Sequence, residues 1–117
     1  MSVSVSIIVP CYNVAAYLDQ CMESLTGQSM EDIEIICVND GSSDHTAEIL
    51  RGWRNRDGRV RIIDQKNSGV SVARNSGMEA AVGEYIGFVD PDDMVERNMF
   101  QRLFTAAAEK DADVAVC

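Results

Sequence analysis

IEIICVNDGSSDHTAEIL, residues 33–50, changes character twice. Residues 33–38 are apolar except for Glu34 and rich in branched side chains, which predicts a short strand buried on both faces. Asn39 to Asp44 are small and polar, as a loop requires. Beyond them Ala47, Ile49, Leu50 and Trp53 fall at helical spacing, with Ser43 or Asp44 as the N-cap. A buried strand, a polar loop and an amphipathic helix in that order make the first half of a parallel strand–helix–strand unit.

The same alternation runs outward in both directions. Upstream, residues 5–9 form a β-branched run closed by Pro10. Val14, Tyr17, Leu18, Cys21 and Leu25 then mark the apolar face of a helix that Gly27 should stop. Downstream, a shorter strand is expected over 60–63 and a loop over 65–69. A small-residue helix follows over 70–82, with Gly83 at its C′ position. A fourth strand over 85–89, a fourth helix from 91 to about 110 and a fifth strand over 112–117 complete the pattern. The expectation is an α/β, three-layer, Rossmann-like domain: a mostly parallel sheet with helices on both faces. Ligands of such sheets bind at the carboxyl ends of the strands. Tyr12 and Asn13, then Asp40, then the acids from Asp90 to Asp93 occupy three of those ends and should converge on one crevice.

Composition narrows the function. The 117 residues suit a single domain, and 46% hydrophobic with 25% charged residues is ordinary for a globular protein. A formal net charge of -9 disfavours binding to nucleic acid or to anionic lipid, both of which call for basic patches. No apolar run reaches the length of a membrane span, and the N-terminus reads as a strand without a basic leader, so a cytoplasmic protein is expected. Cys11, Cys21, Cys37 and Cys117 are irregularly spaced beside a single histidine, the pattern of reduced, buried thiols. The final residues break off inside an expected strand. A truncated domain with an open sheet edge, able to pair with a second copy, is the expectation there.

FVDPDDMVE, residues 88–96, is the densest acidic cluster that follows an expected strand. Asp90 can cap the fourth helix, with Pro91 at N1 and Asp92 and Asp93 facing the positive end of the helix dipole. Two or three of these carboxylates can also hold Mg²⁺ or Mn²⁺, hard ions that take one or two protein carboxylates and leave other positions to water and phosphate. The two roles are compatible. Arg74, on the small-residue helix, carries a planar guanidinium suited to a phosphate oxygen.

Four blocks in order resemble the family-2 glycosyltransferases of the GT-A fold, which transfer a sugar from a nucleotide-sugar donor. They are SIIVPCYN (6–13), EIICVNDGSSDHT (34–46), NSGVSVARNSG (67–77) and GEYIGFVDPDD (83–93), and together they span most of the chain. The resemblance implies that Pro10, Tyr12 and Asn13 lie against the nucleoside. It implies that Asp40, followed by Gly41, accepts the N3–H of the base, usually uracil. It places Arg74 near the donor diphosphate, Asp90 toward the ribose or sugar, Asp92 on the metal and Asp93 close by. The middle position of the family's D-x-D motif is commonly small and here is Pro91; Asn39 replaces a frequent acid; His45 falls at a variable surface position.

The implied reaction is inverting, Mn²⁺- or Mg²⁺-dependent transfer from a UDP-sugar to a hydroxyl of a carbohydrate or lipid-linked acceptor. The family's base, an acid in the acceptor half, has no counterpart in this chain and is expected beyond Cys117, so this portion alone should bind donor without efficient transfer. A non-catalytic nucleotide-binding or interaction module of the same fold is the alternative. A phosphoryl-receiving signalling domain fits poorly, because Cys11 follows the first strand and no lysine adjoins the fifth. A dinucleotide-binding oxidoreductase lacks its glycine-rich turn after the first strand.

Overall fold

Every residue of β1 (Val5–Cys11) and β2 (Ile33–Asp40) is buried, which explains why both read as continuous apolar runs instead of alternating ones. The computed structural model describes residues 3–92 and 114–116. Between and after these strands come α1 (Ala15–Thr26), α2 (Thr46–Arg56), β3 (Val60–Gln65), α3 (Val70–Ala80), β4 (Tyr85–Phe88) and β5 (Val114–Val116). All strand pairs are parallel, in the order β3-β2-β1-β4-β5. The expected α/β architecture is the observed one. The expected fourth helix, Asp93 and Cys117 lie outside the described residues.

Helices cover both faces, and the two-residue period of the strands sorts their side chains between them. Val5, Ile7, Val9 and Cys11 of β1, with Ile33, Ile35 and Cys37 of β2, pack against Leu18, Cys21, Met22 and Leu25 of α1 and Leu50 and Trp53 of α2. Trp53 Nε1 also donates to Asp19 Oδ1 at 2.8 Å, tying α2 to α1. On the opposite face Ile36 and Val38 meet Ala73 of α3. Small residues let α3 lie close to the sheet: a Cβ on Gly77 would stand 2.5 Å from Ile8 Cγ2. Cys11, Cys21 and Cys37 are buried, as expected, and among the described residues none of them forms a disulfide.

Several boundaries differ from expectation for identifiable reasons. β1 continues through Pro10 although it is the central strand, where proline is normally excluded. Its neighbour β4 ends at Phe88 opposite Ile8, and the last bond on that side is from Val89 N to Ile8 O at 3.1 Å. Backbone groups two residues apart on a strand point the same way. Pro10 therefore presents its missing N–H to the side where β4 has already ended.

α3 stops at Ala80, and Gly83 is not its C′ residue. Gly83 N donates to Ser6 Oγ at 2.8 Å, and a Cβ there would lie 2.7 Å from Ser6 N. At α2 the N-cap position belongs to His45, yet Asp44 does the capping: its Oδ1 accepts from Thr46 N at 3.0 Å and from Thr46 Oγ1 at 2.6 Å. Tyr17, placed by spacing on the apolar face of α1, is 54% exposed. Among the described residues no helix is long and apolar enough to cross a membrane.

Candidate functional site

Strand order reverses between β1 and β4, and the carboxyl end beside that reversal is where an open parallel sheet leaves a crevice. Two cavities adjoin there. One, of about 330 Å³, is lined by Pro10, Cys11, Tyr12, Asp40, Asn67, Gly69, Val70 and Ala73. The other, of about 380 Å³, is lined by Pro10, Tyr12, Val14, Tyr17, Val70, Asp90, Pro91 and Asp92. Pro10, Tyr12 and Val70 are common to both, so Asp40 and Asp92 line adjoining cavities. Tyr12 is 52% exposed and lines both cavities.

Asp40 ends β2 as a buried acid, 4% exposed. Burial of a carboxylate requires donors, and three are supplied. Its Oδ1 accepts from Gln65 Nε2 at 2.9 Å and from Ser68 N at 2.8 Å; its Oδ2 accepts from Gly69 N at 3.0 Å. The Gln65 amide first, against the opposing effect of burial, and then the two N–H groups hold the Asp40 pKa below the usual carboxylate value. An ionised carboxylate has about four acceptor positions, and among the described residues one on Oδ2 remains.

Asn13 and Gly41 shape the loops and line neither of these cavities. Asn13 adopts φ 51°, a left-handed conformation that asparagine tolerates. Its N–H donates to Ser42 Oγ at 3.0 Å, and its Oδ1 accepts from Ser43 N at 2.8 Å, which locks the loop after β1 to the loop after β2. Gly41 has φ +70°, and a Cβ would meet Asn67 N at 2.6 Å. Asp44 adds a second tie between the loops by accepting from Ala15 N at 3.2 Å. Its pKa is lowered, first by the Thr46 hydroxyl.

Arg74 extends from α3 to Asp90, Nη2 to Oδ1, at 3.4 Å, with both side chains substantially solvent-exposed. Its buried Nε has no partner among the described residues. An ion pair so open to water contributes little to stability, and the guanidinium can exchange Asp90 for another anion. Asp90 and Asp92 are exposed carboxylates on the same cavity. No group of three His, Cys, Asp or Glu side chains is arranged to enclose a metal among the described residues. Two open carboxylates suit Mg²⁺ or Mn²⁺, whose other positions are filled by water and ligand phosphate.

The structure also brings in residues that sequence reasoning passed over. Gln65, Ser68 and Val70 come from a stretch read only as a loop and a helix start, because β3 was expected to end at Ile63 and ends at Gln65. Tyr17 was assigned to the core by its spacing and instead lines the cavity beside Asp90. A polar loop following every parallel strand was the available signal for the first group.

Comparison with known proteins gives the family. A glycosyltransferase of Bacillus subtilis, EpsJ, is 51% identical over 113 residues, 97% of this chain and 33% of its own length. The glycosyltransferase GlyG of Streptococcus pneumoniae is 44% identical over 117 residues, 99% of this chain and 39% of its own. The chain thus spans between a third and two-fifths of these relatives. Among solved structures, S. aureus TarS in complex with UDP-GlcNAc superposes with a TM-score of 0.84 at 30% identity, over 91% of this chain and 31% of that one. Its complex with UDP gives 0.82 at 30% identity, over 91% and 32%. The family described as glycosyl transferase family 2 matches residues 6–117, and the chain belongs to that family.

Proposed function

We propose that the crevice binds the nucleotide of a UDP-sugar, and that the protein containing this chain transfers the sugar, with inversion, to a hydroxyl of a carbohydrate or lipid-linked acceptor. One observation carries the reading: Asp40 and Asp92 open onto cavities that share Pro10, Tyr12 and Val70. The UDP and UDP-GlcNAc bound by TarS, a protein 30% identical, support a uridine nucleotide as the ligand.

In this reading the remaining acceptor position of Asp40 takes the N3–H of uracil, with Pro10 and Tyr12 against the nucleoside. Asn13 and Gly41 hold the loops at the spacing the nucleoside needs. Arg74 releases Asp90 to bind a diphosphate oxygen, and Asp90 turns toward the ribose or sugar. Asp92, with Asp93 beside it, would hold Mn²⁺ or Mg²⁺. That ion supplies Lewis-acid stabilisation of the departing diphosphate. A protein of net charge -9 repels an anionic donor, which is why the acids need a cation to serve it. No residue of this chain is assigned as the base; sugar transfer needs an acid from the acceptor-binding half.

Calorimetry with UDP, with and without Mn²⁺, tests the reading in the wild type and in Asp92→Ala. Mn²⁺ should strengthen wild-type binding, and the substitution should remove that gain while stability stays within about 0.5 kcal/mol. Unchanged Mn²⁺ dependence in Asp92→Ala refutes the metal assignment. Arg74→Ala should weaken UDP binding by about tenfold, the worth of one charge-assisted hydrogen bond.

A further inference from the structure

We infer that Gln65, held by Ser76, is a positioning residue for the donor: it clamps Asp40 so that the free acceptor position on Oδ2 faces the base. The inference rests on the assignment of Asp40 to the base and goes beyond it, to the side chain that fixes it. Ser76 Oγ donates to Gln65 Oε1 at 2.7 Å, and Gln65 Nε2 donates to Asp40 Oδ1 at 2.9 Å.

The amide has only one workable orientation. Turned over, its oxygen would face an ionised carboxylate, acceptor against acceptor, whereas the Ser76 hydroxyl could serve either way. Oδ1 is then filled by Gln65 and Ser68 N, and Oδ2 keeps one position beyond its bond from Gly69 N. Gln65 lines neither cavity, so it acts through Asp40. Because the clamp is set before a ligand arrives, its loss should appear in donor affinity.

Two substitutions separate positioning from bulk. Gln65→Met keeps the length and removes the donor. Gln65→Glu keeps the shape and places a second carboxyl against Asp40, and two such groups share one proton with a raised apparent pKa. Ionisable groups on neighbouring elements include Cys11 at the end of β1, Tyr12 after it, Asp64 and Lys66 flanking Gln65, and Arg74 on α3. Asp64 accepts from Asn39 and Arg74 pairs with Asp90. Their titration, and that of the ligand phosphate, cancels when each variant is compared with wild type at the same pH.

The experiment is UDP binding without added metal between pH 5 and pH 8, together with a ¹³C NMR titration of the Asp40 carboxyl. Gln65→Met should bind about tenfold more weakly at every pH, and its Asp40 midpoint should rise. Gln65→Glu should bind like wild type near pH 5, where the shared proton restores a donor, and fall about tenfold behind by pH 8. An unmoved Asp40 midpoint in Gln65→Met overturns the clamp, and a moved midpoint with unchanged UDP affinity overturns its role in donor binding. Absence of UDP binding by the wild type would instead strike the donor reading, and the role in binding with it, while the titration still decides the clamp.

Discussion

Replacing Asp40 with alanine removes one acceptor and strands three donors, the Gln65 amide and the N–H groups of Ser68 and Gly69. Losing a buried partner of this kind costs about 1–3 kcal/mol, so urea unfolding should show Asp40→Ala destabilised by about 2 kcal/mol besides being unable to bind UDP. The pH dependence has a definite sign. The folded-state pKa of Asp40 lies below its unfolded value of about 3.9, so its contribution is present above that value. It is lost as pH falls through the folded-state pKa, and a thermal-melt series below pH 4 should show less acid sensitivity in Asp40→Asn than in wild type. Asp40 could be picked out from sequence because an acid ending a buried strand is conspicuous. Its donors could not. Gln65 and Ser68 are polar residues among other polar residues, and only the close approach of the β3 loop at Gly41 brings them to the carboxylate.

At the far end of the sheet a second buried acid holds elements together. Glu34 Oε2 accepts from Ser6 Oγ at 2.5 Å and from Val82 N at 2.8 Å, while Oε1 accepts from Arg61 Nη1 at 2.7 Å. Burial alone would raise its pKa, but the Ser6 hydroxyl, the Val82 N–H and Arg61 together hold it below the usual value. This clasp fastens the segment between α3 and β4 to β1 and β2. Glu34→Ala should therefore speed hydrogen exchange of the Val82 amide by about tenfold or more, the measure of one lost buried bond. The contact of α3 with the sheet is equally specific, since Gly77→Val would drive a branched side chain into Ile8. Overpacking of that kind costs about 1–3 kcal/mol and should appear as a lowered Tm. Elements were the most legible scale in the sequence: period and β-branching located β1 to β4 and α1 to α3. Their ends were less so, because the ends of β1, β3 and α3 are set by neighbours distant in sequence, namely the early end of β4, the Asp40 loop and the approach of Gly83 to Ser6.

For the molecule as a whole, the sheet order puts β1 beside β4 and so carries the loops holding Tyr12, Asp40 and Asp92 to one edge. Alternation of strands and helices was enough to anticipate that convergence, through the rule that parallel sheets bind ligands at the carboxyl ends of their strands. What it could not anticipate was the division of labour inside the crevice. Asn13 and Gly41, expected at the ligand, brace loops, while Tyr17, expected in the core, lines the cavity. The claim at the centre is that a uridine nucleotide sits along this edge, with its base toward Asp40 and its phosphates toward Arg74 and Asp92. Amide chemical shifts recorded while UDP and Mg²⁺ are added measure this most directly. The account predicts changes at Tyr12, Asp40, Ser68, Gly69, Val70 and Arg74, with the strand starts at Val5, Ile33 and Tyr85 unmoved. Shifts confined to that opposite end, or none at millimolar UDP, would contradict it.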